Sequence, residues 1–180
     1  MHKMFLRFPK EYDITPITYI FPEDDERFEA DREAEDSGVL YILKPVAASC
    51  GRGIKVIGQK TFISRKEGYL ASKYVLKPHL INDLKYDLRV YVLVTGYDPL
   101  RVYVYNEGLV RFATEKYTLN PEDLKKRFIH LTNFSVNKKS ENFKVNKGDG
   151  EDEESSSKWS FKQLKKAYED RGISYDFVFA

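Results

Sequence analysis

Lys44 stands at the end of an apolar run and just before a stretch of small residues, within residues 39–57, VLYILKPVAASCGRGIKVI. Ala47, Ala48, Ser49, Cys50, Gly51 and Gly53 have small side chains, so backbone N–H groups of such a loop can approach an anion. Arg52 adds positive charge at the tip. A lysine beside a glycine-bearing hairpin is a grip for phosphate, and the same residues equally describe an ordinary hairpin with one exposed lysine. The stretch is not a P-loop, because no helix-opening Gly-Lys-Ser/Thr follows. A second set, Asp87, Arg89, Arg101 and Arg111, puts charge along strand-like runs, and among them Arg89 and Arg111 lie in or beside apolar strands, where an unpaired cation is costly. Either these arginines pair across strands with Asp87 or Glu107, or they clamp a carboxylate or phosphate, which the planar guanidinium fork fits. A third set, Thr132, Asn133, Ser135 and Asn137, is dense in neutral hydrogen-bonding groups and by itself reads as a loop with local side-chain caps. The acidic run EDDERFEADREAED reads as a wet helix face rather than a metal site. His79 has no nearby histidine or cysteine to share a metal.

These side chains need elements to hold them. Val39, Leu40, Ile42 and Leu43 predict a short strand that stops at Pro45, which has no N–H to give, and Ile54, Val56 and Ile57 resume it. Residues 1–20 read as extended, because Pro9 and Pro16 discourage helix, with Ile14, Ile17, Tyr19 and Phe21 toward a core. The acidic run predicts a short helix with its acids at the favourable end, a thin apolar face of Phe28 and Ala30, and a stop at Ser37-Gly38. Residues 59–73 read as a polar connector with a short helix around 63–70, then an extended piece from Lys73 to Leu76, stopped by Pro78. Residues 87–114 alternate apolar and polar, and predict a three-stranded meander with turns at Gly96-Tyr97-Asp98-Pro99 and Asn106-Glu107-Gly108. Asn120-Pro121-Glu122-Asp123 opens a helix ending near Phe128. Residues 140–158 have too few apolar side chains to order themselves and read as a mobile insertion. Trp159, Phe161, Leu164, Ala167 and Tyr168 predict an amphipathic helix to about Asp170, closed by Gly172.

At 180 residues, 42% of them hydrophobic and 32% charged, the chain is one globular domain or part of a larger one. A net charge of +2 gives no strong field for nucleic acid. Cys50 is the only cysteine, which excludes an internal disulfide and a cysteine-rich zinc site and fits a reducing compartment. No apolar run approaches the ~20 residues of a membrane span, and the start, MHKMFLRFPKEY, lacks an apolar signal core. Cytosol is the expectation. The 13 Tyr and 12 Phe favour sheet-rich packing.

Taken in order, ILKPVAASCGRGI, SKYVLKPHLIND, KYDLRVYVLVT, DPLRVYVYNEGLVRFATEKY, RFIHLTNFSVNKKS and KWSFKQL resemble the tubulin tyrosine ligase-like family, which has an ATP-grasp fold. YNEGLVRFATEKY is more similar to its polyglutamylase branch than to the tyrosine- or glycine-adding branches. The resemblance implies an α+β, ATP-grasp-like fold with antiparallel sheets and flanking helices, residues 1–180 being a partial domain truncated before the metal-ligand segment. It implies ATP-dependent ligation of glutamate to glutamate side chains of tubulin tails, through an acyl phosphate on the acceptor γ-carboxyl that the amine of free glutamate attacks. The alternative is a non-catalytic remnant of the same fold that binds nucleotide or acidic peptides.

The resemblance also implies roles. Lys44 grips ATP phosphate oxygens, and Gly51 belongs to the loop over them. Ser72, Lys73, Tyr74 and Val75 occupy the hinge that meets adenine. Lys85, Tyr86 and Asp87 match the family's Lys-Phe-Asp around the nucleotide, and Thr132 and Asn133 match nucleotide contacts. Arg111 and Lys158 are the candidate catalytic residues: Arg111 matches an arginine that holds the incoming carboxylate, and Lys158, with Phe134 and Ser135, lines the amino-acid site. The family usually has arginine where Cys50 stands, glutamine where Ser72 begins the hinge and tyrosine where Phe134 stands. ATP and magnesium are the implied cofactors, with no metal ligand in this chain and the metal's acids in a Glu-Val-Asn-x-Ser-Pro segment outside it. The implied partners are free glutamate and tubulin or microtubules through their acidic tails, with neither nucleic acid nor membrane. The implied location is the cytoplasm and cytoskeleton, the cilium or basal body included.

Overall fold

A computed structural model describes residues 2–35, 38–63, 68–145 and 156–175. The chain divides by its contacts into two units, Met1–Pro78 with Thr118–His130, and His79–Tyr117 with Leu131–Ala180.

The first unit is built on an antiparallel sheet of β1 (Thr18–Ile20), β2 (Leu40–Pro45), β3 (Lys55–Gly58) and β4 (Tyr69–Lys73), in the order β1-β4-β2-β3. Residues 1–20 are not extended throughout: α1 (His2–Arg7) ends before Pro9, and β1 begins only after Pro16. Helix α2 (Asp25–Ala34) follows the acidic run, with Asp25 and Glu26 in its first turn, where the helix dipole favours them. Its apolar face is thinner than expected, since Ala30 is exposed and Phe28 alone is buried. Phe28 meets the rings of Tyr19, Phe21 and Tyr41 edge-on, with centroids 5.0, 5.2 and 5.1 Å away. These aromatics, with Ile57, Ile63 and Ala71, form the core of this unit, while Ile14 is left exposed. Tyr19 donates to Asp31 at 2.6 Å and Tyr41 donates to Glu35 at 2.8 Å. Burial and then the acceptor carboxylates push both phenols up.

Pro45 does not end its strand. Leu43–Lys55 is the last pair of β2 with β3, but β2 continues against β4 to Pro45–Tyr69, and the Val46 N–H donates to the Gly68 carbonyl at 2.7 Å. Successive N–H groups alternate sides, so the position where Pro45 lacks one faces the side where the ladder has already ended. The expected helix around residues 63–70 is replaced at its end by β4, and residues 64–67 lie outside the described residues, as does the expected helix stop at Ser37.

The second unit has β5 (Leu80–Ile81), β6 (Leu84–Tyr97), β7 (Leu100–Phe112) and β8 (Lys158–Ser160) in that spatial order, all antiparallel. The expected meander is one long hairpin. Asn106-Glu107-Gly108 lies inside β7, and a register shift between Val90 and Val92 takes up the extra residues. Gly108 is needed there because an added Cβ would stand 2.5 Å from Cζ of Phe161 and against the Arg89 carbonyl.

Phe161 opens α5 (Phe161–Glu169), which ends one residue before the expected Asp170. Trp159 belongs to β8 rather than to this helix. Ser160 caps α5: its Oγ accepts from the Gln163 N–H at 3.2 Å, and Gln163 Oε1 accepts from the Ser160 N–H at 2.6 Å. Phe161, Leu164, Ala167 and Tyr168 pack with Ile81, Val110, Phe112 and Trp159 as the core of this unit. Beyond Gly172, whose φ is 66°, the Ile173 N–H donates back to the Tyr168 carbonyl at 2.9 Å.

Two further expectations are corrected. Residues 121–125 make isolated turns, and the helix that forms is α3 (Arg127–His130), because only Leu124 offers an apolar anchor before Phe128. Residues 128–140 are not simply a loop, since α4 (Phe134–Asn137) forms within them. Of the expected mobile insertion, residues 146–155 lie outside the described residues. At its ends the Ser157 N–H donates to the Lys144 carbonyl at 3.0 Å, Ser156 and Ser157 are buried, and Lys158 is paired in β8.

Candidate functional site

The strand register of the first unit sorts its candidate residues by face. Tyr41, Leu43, Ala71 and Lys73 share the face that α2 covers, so Ile42, Lys44, Leu70 and Ser72 share the other. Lys73 therefore points away from Lys44 and forms an ion pair with Glu35, the residue that also accepts from Tyr41. Ser72 lies on the Lys44 face, its hydroxyl 2.9 Å from that of Thr18. Tyr74 turns inward, its hydroxyl 3.0 Å from Nδ1 of buried His130, and Val75 is exposed.

Lys44 is half-buried, and burial pushes its ammonium pKa down. Among the described residues no carboxylate pairs with it. The loop after it is shaped by left-handed backbone: φ is 61° at Cys50, 71° at Gly51 and 72° at Gly53. At Gly53 an added Cβ would lie 2.6 Å from Cγ of Pro45, so this residue must be glycine on both counts. The Gly51 carbonyl accepts from Arg127 Nη2 at 2.8 Å, tying the loop to α3. Cys50 is exposed, in a conformation unusual for a residue with a Cβ.

In the second unit Asp87 on β6, Arg111 on β7 and Lys158 on β8 are direct cross-strand neighbours, a row across one face of three strands. Arg111 donates from Nε to Asp87 Oδ1 at 2.9 Å and from Nη2 to Oδ2. The paired carboxylate, acting against burial, holds the guanidinium pKa above its ordinary value. The ammonium of Lys158 lies 3.7 Å from the centroid of the Phe134 ring, and that of Lys138 lies 5.6 Å from it. Lys85 lies two residues from Asp87 on the same strand and so shares its face.

Tyr86 lies on the opposite face. Its hydroxyl bonds His79 Nδ1 at 2.9 Å and the hydroxyl of Tyr168, and its ring packs on Phe112 at 5.7 Å. Burial and then the Tyr168 bond push its phenol up. Its side chain is thus part of the core under α5. Thr132 and Asn133 are half-buried just before α4, and Ser135 lies within it. Arg89 and Arg101 are exposed.

One structural anchor was not recognised in the sequence. Asn137 is fully buried, and its Oδ1 accepts from the Thr114 N–H at 3.1 Å and hydroxyl at 2.9 Å. Its Nδ2 donates to the carbonyls of Leu131 at 2.7 Å and Asn133 at 3.1 Å. This amide pins the Thr132-Asn133 segment and α4 to Thr114, two residues past the end of β7. Its signal in the sequence was its place one residue after apolar Val136, which puts it on the inner side of a short helix.

The second unit thus sets Asp87, Arg111 and Lys158 in one cross-strand row, and the first sets a half-buried lysine before a glycine-bearing loop. Among the described residues no group of three or more His, Cys, Asp or Glu is placed to hold a metal. Antiparallel sheets with flanking helices make this an α+β chain. The family model described as "Tubulin-tyrosine ligase family" matches residues 1–177, and the chain belongs to that family. It is 44% identical over 155 residues to tubulin polyglutamylase TTLL5 of Homo sapiens, covering 86% of this chain and 12% of that protein. It is 42% identical over 180 residues to tubulin polyglutamylase ttll6 of Danio rerio, covering 98% of this chain and 22% of that protein. A probable beta-tubulin polyglutamylase of Tetrahymena thermophila is 40% identical over 172 residues, 94% of this chain and 14% of that protein. The chain therefore spans between 12% and 22% of the length of these relatives.

Proposed function

We propose that this chain is the nucleotide- and amino-acid-handling part of an ATP-dependent glutamate ligase of ATP-grasp fold that modifies glutamate side chains of tubulin tails. The observation that carries the reading is Lys44, a half-buried cation with no internal carboxylate among the described residues, next to a loop held open by positive φ. An unpaired cation in such a place is costly unless an anion arrives, and a nucleotide phosphate is the anion that fits. The names of the relatives support glutamate as the group transferred and tubulin as the acceptor.

Each unit has its own task. In the first, Lys44 holds phosphate oxygens, Gly51 and its neighbours cover them, and the backbone of residues 72–75 reads the adenine edge. Lys73 serves there through its backbone, since its ammonium belongs to Glu35. In the second, Lys85, Asp87, Thr132 and Asn133 serve the nucleotide, while Arg111 and Lys158 hold the carboxylate of the incoming glutamate, with Phe134 and Ser135 beside them. When bound, ATP supplies the phosphoryl group that activates the acceptor carboxyl. Magnesium is the metal expected with the nucleotide phosphates. Tubulin as acceptor would put the protein at the cytoskeleton, with the cilium or basal body as the site to look in. Among the described residues no helix is long and apolar enough to cross a membrane.

Thermal shift with magnesium-ATP tests the nucleotide reading, with Lys44→Met as control. A stabilising shift that the variant loses supports it, and no shift with the unaltered chain overturns it. Mass spectrometry of tubulin incubated with the protein, magnesium-ATP and glutamate then tests the transfer. Gains of whole glutamyl residues support the ligase, and nucleotide binding without such gains favours a binding module of the same fold.

A further inference from the structure

We infer that Phe134 is a positioning residue whose ring face holds the Lys158 ammonium beside Arg111 for the carboxylate of the amino-acid substrate. The inference rests on the reading of Arg111 and Lys158 given above, and deepens it. Strand pairing fixes the backbone of Lys158 opposite Arg111, but it does not fix the ammonium. A lysine head rides on a flexible four-carbon stem, and ordering that stem costs entropy that some contact must offset. One such contact is the Phe134 ring, with its centroid 3.7 Å from Nζ, well within the range where the negative face of an aromatic ring attracts a cation.

Phe134 itself is an unusual place for a phenylalanine, because its side chain is 44% exposed. It leans on Phe143 at 5.7 Å, and a second ammonium, that of Lys138, stands 5.6 Å from its centroid. The ring thus serves as a platform for lysines more than as core. Its backbone is set by α4, which the buried Asn137 fastens to Thr114, two residues past the end of β7, the strand that carries Arg111. Along the row Asp87 occupies the Nε–Nη2 edge of Arg111. A ligand carboxylate must then meet the remaining guanidinium edge together with a second cation. Holding Lys158 in place supplies that second cation without its having to be gathered at the moment of binding. A tyrosine or tryptophan at residue 134 keeps an aromatic face and preserves the arrangement, whereas leucine keeps apolar bulk and loses it.

The test is proton NMR of selectively labelled lysine side chains in the purified protein, with Lys158→Arg identifying the signal. Ring-current shielding should move the Lys158 ε-methylene protons upfield in the unaltered protein and in Phe134→Tyr and Phe134→Trp, and the shift should vanish in Phe134→Leu. The same samples are titrated with free glutamate. Affinity should fall about two- to fivefold in Phe134→Leu, the loss expected for an exposed cation–ring contact, and should hold in Phe134→Tyr. Lys158 methylenes without an upfield shift in the unaltered protein overturn the inference, as does unchanged glutamate affinity in Phe134→Leu after its shift is lost. A shielded Lys158 in a protein that binds no glutamate overturns the amino-acid reading instead, because the shielding does not depend on ligand.

Discussion

Arg111 and Asp87 face each other directly across β6 and β7, and the guanidinium turns its Nε–Nη2 edge onto both carboxylate oxygens. The sequence left two outcomes for this arginine, cross-strand pairing or an anion clamp. The geometry realises the first while leaving part of the guanidinium available for the second. Asp87→Asn should keep the fold and lose the charge-assisted pair. The Asp87 side chain is 38% exposed, so solvent screening limits the cost to about 1 kcal/mol. That predicts a melting temperature about 2–4 °C lower. An unchanged melt would show that the pair adds nothing to stability.

Lys44 should behave in the opposite way, because its charge is a burden until an anion is bound. Burial places its folded-state pKa below the ordinary value of 10.5. Between those two values the unfolded chain binds more protons than the folded one, so stability attributable to this group rises with pH. Lys44→Met removes the penalty. The variant should melt at least as high as the unaltered protein at neutral pH, and the gap should close as pH approaches the ordinary lysine value. A lower melt at neutral pH would mean that Lys44 has a stabilising partner in the folded protein.

Much of the second unit was legible in the sequence because its signals are local. Alternation in residues 88–94 marked the long strand, and the spacing of Phe161, Leu164, Ala167 and Tyr168 marked α5. What escaped was decided by tertiary contact. Asn106-Glu107-Gly108 has turn composition, yet Gly108 is in β7 because Phe161 needs the space a side chain would fill. Pro45 looks like a strand stop, yet it only lacks a donor on the side that has no partner. The face assignments of Lys73 and Tyr86 were equally hidden. Neighbours in sequence point to opposite sides of a strand, and a motif of consecutive letters does not say which letter faces the ligand. For Cys50, nothing in the structure explains why it stands where arginine is usual.

Gly108 offers a sharp check on that packing. Gly108→Ala would drive a methyl group into the Arg89 carbonyl, which is backbone and cannot move alone, and into Phe161. Overpacking of this kind costs about 1–3 kcal/mol. Thermal melting should fall accordingly, and near-ultraviolet circular dichroism should change as Phe161 shifts. A melt within error of the unaltered protein would show that β7 and α5 are looser than these distances state.

The outer part of the β6–β7 hairpin is apolar and open to solvent. Val92 and Val104, a cross-strand pair, are 55% and 50% exposed, and Leu93 and Tyr103, the next pair, are 62% and 59% exposed. Their burial contributes little to stability in this chain, while such a surface invites association. Val92→Thr with Val104→Thr keeps β-branched side chains and strand preference. The double variant should scatter less light at high concentration and melt within about 1 °C of the unaltered chain, as solvent-facing substitutions usually do. A large drop in melting temperature would mean that these valines are buried in solution.

Asn137 and Thr114 allow a graded test of how firmly α4 is held. Thr114→Val removes one hydroxyl donor to Asn137 Oδ1 and leaves the Thr114 N–H bond in place. It should cost about 1 kcal/mol, the net worth of one hydrogen bond. Asn137→Leu removes all four bonds and strands the carbonyl of Leu131 together with the Thr114 hydroxyl in a buried place. Leaving buried groups unpaired is costlier than losing a bond, so about 2–4 kcal/mol is expected. The consequence reaches Phe134, because the helix that carries it is fastened by this amide. Asn137→Leu should therefore weaken the ring-current shift at Lys158, whereas Thr114→Val should leave it nearly intact. Equal effects of the two substitutions on melting and on the Lys158 signal would show that the Thr114 hydroxyl bond, the one contact both remove, rather than the amide as a whole, holds α4 in place.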